Sequence, residues 1–197
     1  MEPRAAAVVA KPRGCAARMS AGFTVRAATI ADVPAIAAIY ADSVRTGTAT
    51  YEYAAPETDE MRRRFETIVG AGYPYLVAAD TAGDVLGYAY ACVYRPRPGY
   101  RYTVEDSVYV AANAARRGIG RALLSTLISA CTARGDRLMI AVLGDTANVA
   151  TVALHRALGF EIAGRLPGVG WKFGRWLDGL LMCLALGDGR TSPPSSG

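Results

Sequence analysis

The sequence predicts a single α/β domain with a mixed central sheet and helices on both faces. Two observations carry that prediction. Segments of strand-like and helix-like hydrophobic periodicity alternate along the chain, with no internal repeat and no long linker. The early strands are linked by a hairpin turn and the later ones by helices, so antiparallel and parallel neighbours must share one sheet. Length agrees, because 197 residues can bury one sizeable core. A composition of 52% hydrophobic and 20% charged residues excludes a disordered chain. No apolar run reaches the roughly 20 residues that a membrane span needs.

The elements follow in order. FTVRAA (23–28) is a first strand. Thr29 and Asp32 have capping-box spacing, and Ile36, Ile39, Tyr40 and Val44 then mark one helical face. GTATYEYAAPE is a loop, and Thr58 opens a second helix that runs to about Val69 before Gly70 and Gly72. YLVAAD (75–80), the turn TAGD and VLGYAYACVY (85–94) form a hairpin. RPRPG interrupts the pattern, and an alternating strand follows through Val110. A helix from Gly118 to Arg134 presents Leu123, Leu124, Leu127, Ile128 and Cys131 to the core. LMIAVLG (138–144) is continuously apolar and reads as a strand buried on both faces. A helix over 147–158 stops at Gly159. Strands are expected at Phe160–Arg165 and over WLDGLLMCLAL (176–186).

Charge and cysteines exclude several classes. The net charge is +5, but Arg4, Lys11, Arg13 and Arg18 against Glu2 place +3 of it in residues 1–22. The remaining charge is too small for a nucleic-acid face, and those first residues lack interleaved aromatics. Cys15, Cys92, Cys131 and Cys183 form no CxxC pair, which argues against a zinc site or a disulfide framework and fits a reducing cytoplasm. Residues 1–22 are expected to be a flexible extension, 23–186 the folded domain, and 187–197 a disordered tail.

The chemistry-bearing stretch is YTVEDSVYVAANAARRGIGRALL (102–124). A strand runs through a short loop, Ala115-Arg116-Arg117-Gly118-Ile119-Gly120, into a helix. Such a turn leaves backbone N–H groups free and directs the positive end of the helix dipole at a bound anion, most simply a phosphate. No GK[ST] follows, and GxGxxG fails at Leu123, so the NTPase and dinucleotide patterns are both absent. A pyrophosphate of the coenzyme A type remains. Glu105 lies in the adjoining strand on the face shared by Ser107 and Tyr109. It is either a general base or a salt-bridge partner of Arg101 or Arg95.

Strand, RRGIG, helix, apolar strand, Asn148 and ALHRALGF together resemble the acetyl-CoA-dependent GNAT N-acetyltransferase superfamily. TVEDSVYV, IAVLGDTANVATVALHRALGF and VGWKFGRWLD are similar to its phosphinothricin and methionine sulfoximine group, over about residues 23–186. The resemblance implies direct acetyl transfer from acetyl-CoA to the amine of a small amino acid, with no metal. It implies Glu105 as the base that takes a proton from the ammonium, because an ammonium has no lone pair with which to attack. Backbone groups of Val108, Tyr109 and Val110 would bind the pantetheine arm and a developing oxyanion. Asn148 would touch the same arm, and His155 would act as an acid or hold the thiol. Arg101, Tyr102 and Lys172 are candidates for the acceptor site, Arg101 as partner of a carboxylate. The family loop usually has Gln or Arg where Ala115 stands here, so Arg116 or Arg117 would supply the charge. Two further implications are a homodimer and, as the alternative function, a non-catalytic acyl-CoA-binding module on the same fold.

Overall fold

The computed structural model describes residues 22–193. Seven strands, β1 (Phe23–Ala27), β2 (Tyr75–Asp80), β3 (Val85–Val93), β4 (Thr103–Val110), β5 (Leu138–Leu143), β6 (Glu161–Lys172) and β7 (Arg175–Ala185), form one sheet in the order β1-β2-β3-β4-β5-β7-β6. Only β4 and β5 pair in parallel, so the sheet is mixed. The helices are α1 (Val33–Thr46), α2 (Thr58–Gly70), α3 (Ile119–Arg134) and α4 (Val149–Arg156).

Two cores cover the two faces. On one, α3 lays Ile119, Leu123, Leu124, Leu127 and Cys131 over Ala89, Val104, Met139 and Met182, with α4 beside it. On the other, α1 and α2 bring Val33, Ile36, Tyr40, Met61 and Phe65 onto Tyr75, Val77 and Tyr88. The apolar periodicity of α1 and α3 thus becomes burial, at about 25 cal/mol for each Å² of apolar surface removed from water. The start of α1 is fixed by Asp32, which accepts from the Thr29 backbone N–H and hydroxyl and pairs with both terminal nitrogens of Arg26 at 2.7 Å.

The structure corrects three expectations. β5 is not buried on both faces: Met139, Ala141 and Leu143 are covered, whereas Val142 on the other face is 42% exposed. β6 continues to Lys172 instead of ending at Arg165, because LPGVG forms a bulge within the strand. Asp178 holds that bulge by accepting from Gly168 N at 2.7 Å. Residues 187–193, expected within a disordered tail, form turns closed by Gly189 N to Leu186 O, and Arg137 donates to Pro193 O. The rest of the tail and the expected extension, apart from Gly22, lie outside the described residues.

Candidate active site

The site is built where two neighbouring strands part. β4 pairs with β5 only as far as Asp106↔Ala141, although β4 continues beside β3 to Val110 and β5 beside β7 to Leu143. Backbone groups of Ser107–Val110 that point toward β5 therefore have no strand partner among the described residues. The resulting cleft has a volume of about 60 Å³. Val108 and Tyr109 line one wall, Gly144, Asp145 and Asn148 the other, and Asp106 and His155 the floor. Val110 continues β4 and packs into the α3 core.

The loop after β4 arrives at the start of α3 without a side-chain cap. Arg116 (φ 61°) and Gly118 (φ 80°) are both left-handed, which turns the backbone sharply into the helix. Ala115, Arg116, Arg117 and Gly118 are exposed, while Ile119 is buried and anchors the turn. Gly87 on β3 permits this close approach, since a Cβ there would lie 2.8 Å from Tyr109 O and 3.3 Å from Ile119 Cγ2. Asn148 caps α4, its Oδ1 accepting from Thr151 N at 3.3 Å, and also lines the cleft.

Glu105 is half-buried opposite Cys92, on the α1/α2 face. No ion pair holds it among the described residues, so the salt-bridge alternative with Arg101 or Arg95 is not realised. Burial pushes its carboxyl above the ordinary value, the Asp106 charge adds to this, and the nearby Arg95 guanidinium opposes it. Beyond Cys92 a cavity of about 410 Å³ opens beneath α2, walled by Tyr40, Tyr75, Tyr88 and Tyr90 with Met61 and Ile68. The rings stack, Tyr75 on Tyr90 at 4.9 Å and Tyr88 on Tyr109 at 5.1 Å between centroids.

His155 lies on the opposite side of β4 from Glu105 and is buried. Its Nδ1 meets Thr151 O at 2.8 Å, and its Nε2 meets Asp106 Oδ2 at 3.1 Å. Both ring nitrogens are thus engaged. Burial works to lower its pKa, but the Asp106 bond and charge outweigh this and leave it raised. Asp106 was not singled out from the sequence, although it sits in an otherwise apolar row with Val104 and Val108. A lone buried acid demands a partner, and that was the available signal.

The three acceptor-site candidates lie apart from the cavity beside Cys92. Arg101 and Tyr102 line a different cavity, about 440 Å³, with Arg134, Asp136, Arg137 and Asp188. The Arg101 guanidinium lies over the Tyr102 ring at 4.6 Å, before β4 begins, and Arg95 is the cation that acts on Glu105. Lys172 is 2% exposed and cannot meet a ligand. Its Nζ donates to Gly47 O at 2.9 Å and Thr50 O at 2.8 Å, pinning the α1–α2 loop. That loop also holds through Tyr51 Oη to Gly144 O at 2.7 Å and Tyr53 Oη to Trp171 O at 2.5 Å. Gly170 lets the Tyr51 ring approach, because a Cβ there would meet the ring at 2.6 Å.

Comparison with known proteins agrees with this geometry. The acetyltransferase (GNAT) domain family matches residues 25–181. The phosphinothricin N-acetyltransferase of Alcaligenes faecalis is 52% identical over 87% of this chain and 86% of its own length. The L-methionine sulfoximine/L-methionine sulfone acetyltransferase of Pseudomonas aeruginosa is 45% identical over 86% of this chain and 98% of its own. The crystal structure of a phosphinothricin acetyltransferase from Sinorhizobium meliloti in complex with AcCoA is 50% identical, with a TM-score of 0.87 over 90% of this chain and 95% of that one. A parted β4–β5 pair, a glycine turn opening α3 and this likeness over most of the chain have one reading: the protein is an acetyl-CoA-dependent N-acetyltransferase of the GNAT family.

Proposed function

We propose that the enzyme acetylates the α-amino group of a small amino acid of the phosphinothricin or methionine sulfoximine type. The observation that carries this reading is Glu105: a half-buried carboxylate without an ion pair among the described residues, paired across the strands with Cys92 of the tyrosine-walled cavity and next in β4 to Asp106 of the cleft. Acetyl-CoA supplies an activated acetyl thioester. The residues present fit it, with an uncapped, left-handed turn at 115–120 for the pyrophosphate and unpaired backbone at Val108–Val110 for the pantetheine arm. Asn148 borders the same arm.

The acceptor enters with its amine toward Glu105 and its side chain toward the cavity beneath α2. Glu105 takes a proton from the ammonium, which frees the lone pair for attack on the thioester. Its raised pKa brings it nearer the range where a carboxylate both ionises and accepts a proton. Free N–H groups of β4 stabilise the negative charge that develops on the acetyl oxygen. His155 and Asp106, at the cleft floor, border the position of the coenzyme sulfur. The test is thiol release from acetyl-CoA by purified protein across a panel of amino acids, compared by kcat/KM. Highest values for phosphinothricin and methionine sulfoximine are expected; equal background release with every amino acid would sink the assignment.

The enzyme works as a homodimer in this proposal. Val169, Trp171, Phe173 and Trp176 are each 46–66% exposed on the hairpin formed by β6 and β7, a cluster of exposed apolar side chains of the kind that marks interaction surfaces. A second copy is the partner that buries it. Cys92, Cys131 and Cys183 are free thiols, which supports a cytoplasmic setting.

A further inference from the structure

We propose that Asp106 is a positioning residue for both proton-handling side chains of the site: it fixes the His155 imidazole at the cleft floor and sets a second buried carboxylate behind Glu105. This rests on the acetyl-transfer reading for its kinetic consequence, but not for its structural one. Strand alternation sends Glu105 to the α1/α2 face and Asp106 to the α3/α4 face. The Asp106 and His155 side chains are each 2% exposed and meet at 3.1 Å. The Phe160 ring stands edge-on to the imidazole, 4.9 Å between centroids, and closes its other side.

Hydrogen-bond chemistry fixes how many protons the pair holds. A carbonyl oxygen only accepts, so Nδ1 carries a hydrogen toward Thr151 O. Nε2 and Oδ2 would present two lone pairs to each other unless a hydrogen lies between them. The pair therefore holds one shared proton and is neutral overall, as imidazolium–carboxylate or imidazole–carboxylic acid. The other oxygen, Oδ1, is buried without a partner among the described residues. While the pair is intact neither ring nitrogen can turn to a ligand, so His155 acts together with Asp106 and not as a free imidazole.

The charged and titratable groups around the pair are few. Glu105 adjoins it on β4, Cys92 faces Glu105 from β3, Cys131 approaches from α3, and Asp145 lines the cleft after β5. Arg95 acts on Glu105 from the β3–β4 loop. Removing the Asp106 charge has two consequences. In the imidazolium–carboxylate form the Asp106 charge adjoins Glu105 while the imidazolium lies beyond it, so removing that carboxylate lets the Glu105 carboxyl titrate lower. His155 loses its only carboxylate while remaining buried, so its titration moves from above the ordinary value of 6.5 to below it.

The chain contains one histidine, so a single imidazole signal reports on the pair. The experiment is nitrogen-15 NMR titration of the full wild-type chain and of Asp106→Asn. Expected are a wild-type midpoint above 6.5 with Nδ1 protonated, and a variant midpoint lower by about one unit or more. A midpoint below 6.5 separates loss of the partner from simple loosening, which would return the ring to 6.5. The same midpoint in both proteins overturns the inference. Asp106→Ser serves as a second variant with the same expectation should Asn disturb folding. In parallel, the acid limb of kcat/KM is expected to move to lower pH in Asp106→Asn, and an unmoved limb removes the claim on Glu105. If wild-type protein transfers no acetyl group, the transferase reading falls with that claim, while the titration still decides the His155 pairing.

Discussion

Replacing Lys172 with methionine keeps a side chain of similar length in the same buried slot and removes every donor. The wild-type Nζ donates to Gly47 O and Thr50 O. Hydrogen bonds from a charged donor contribute about 1.5–3 kcal/mol each, so the two together supply about 3–6 kcal/mol. Against this stands the burial of an ammonium, which pushes the Lys172 pKa below its ordinary value. An opposing term of about 1–3 kcal/mol leaves a net loss between about 0 and 5 kcal/mol, centred on about 2–3 kcal/mol, for Lys172→Met. For a chain of this size that lowers Tm by about 4–12 °C. The change should also loosen residues 47–50, of which Ala49 borders the β4–β5 cleft, and so raise KM more than it lowers kcat. Thermal unfolding and steady-state kinetics on the same preparation read both effects. A variant with wild-type Tm and KM would refute the view that Lys172 holds this loop.

Two further predictions concern stability and assembly. Asp32 is held down to about 2, chiefly by the Arg26 hydrogen bonds, with the Thr29 bonds adding. A depressed carboxylate stabilises the fold above its unfolded value of 3.8 and loses that contribution as pH falls through about 2. Asp32→Asn should therefore lower unfolding free energy by about 1–2 kcal/mol at pH 7, Arg26 being partly exposed and screened, and by progressively less below pH 4. Urea unfolding across that range checks it, and a pH-independent difference would contradict it. Trp176→Glu should shift sedimentation from twice the 20.7 kDa chain mass to that mass, and a wild-type monomer would refute the hairpin interface.

Much of the architecture was legible because it rests on local chemistry. Alternation placed Glu105 and Tyr109 on one face and Val108 and Val110 on the other, as the two cores show. The glycine turn at 118 was legible because a left-handed residue is needed to swing from β4 into α3. The misses are non-local. Lys172 finds its acceptors more than 120 residues away, which no spacing rule can indicate. Arg101 is near Glu105 in sequence, yet it lies in the turn before β4 and falls beside a different cavity. β6 was expected to end at Arg165 because the proline and glycines that follow, which permit irregular strands, also end regular ones. Asp106 was within reach: an acid in a valine row needs a partner, and the single histidine supplied it.

The most direct measurement is the rate of acetyl transfer by Glu105→Gln at neutral pH, set beside its calorimetric affinity for acetyl-CoA. Glutamine keeps the shape of the side chain and cannot take the ammonium proton. The account predicts kcat lower by about 10²–10⁴-fold with coenzyme affinity unchanged. A variant that transfers acetyl at the wild-type rate would contradict it, and the base would then have to be sought elsewhere.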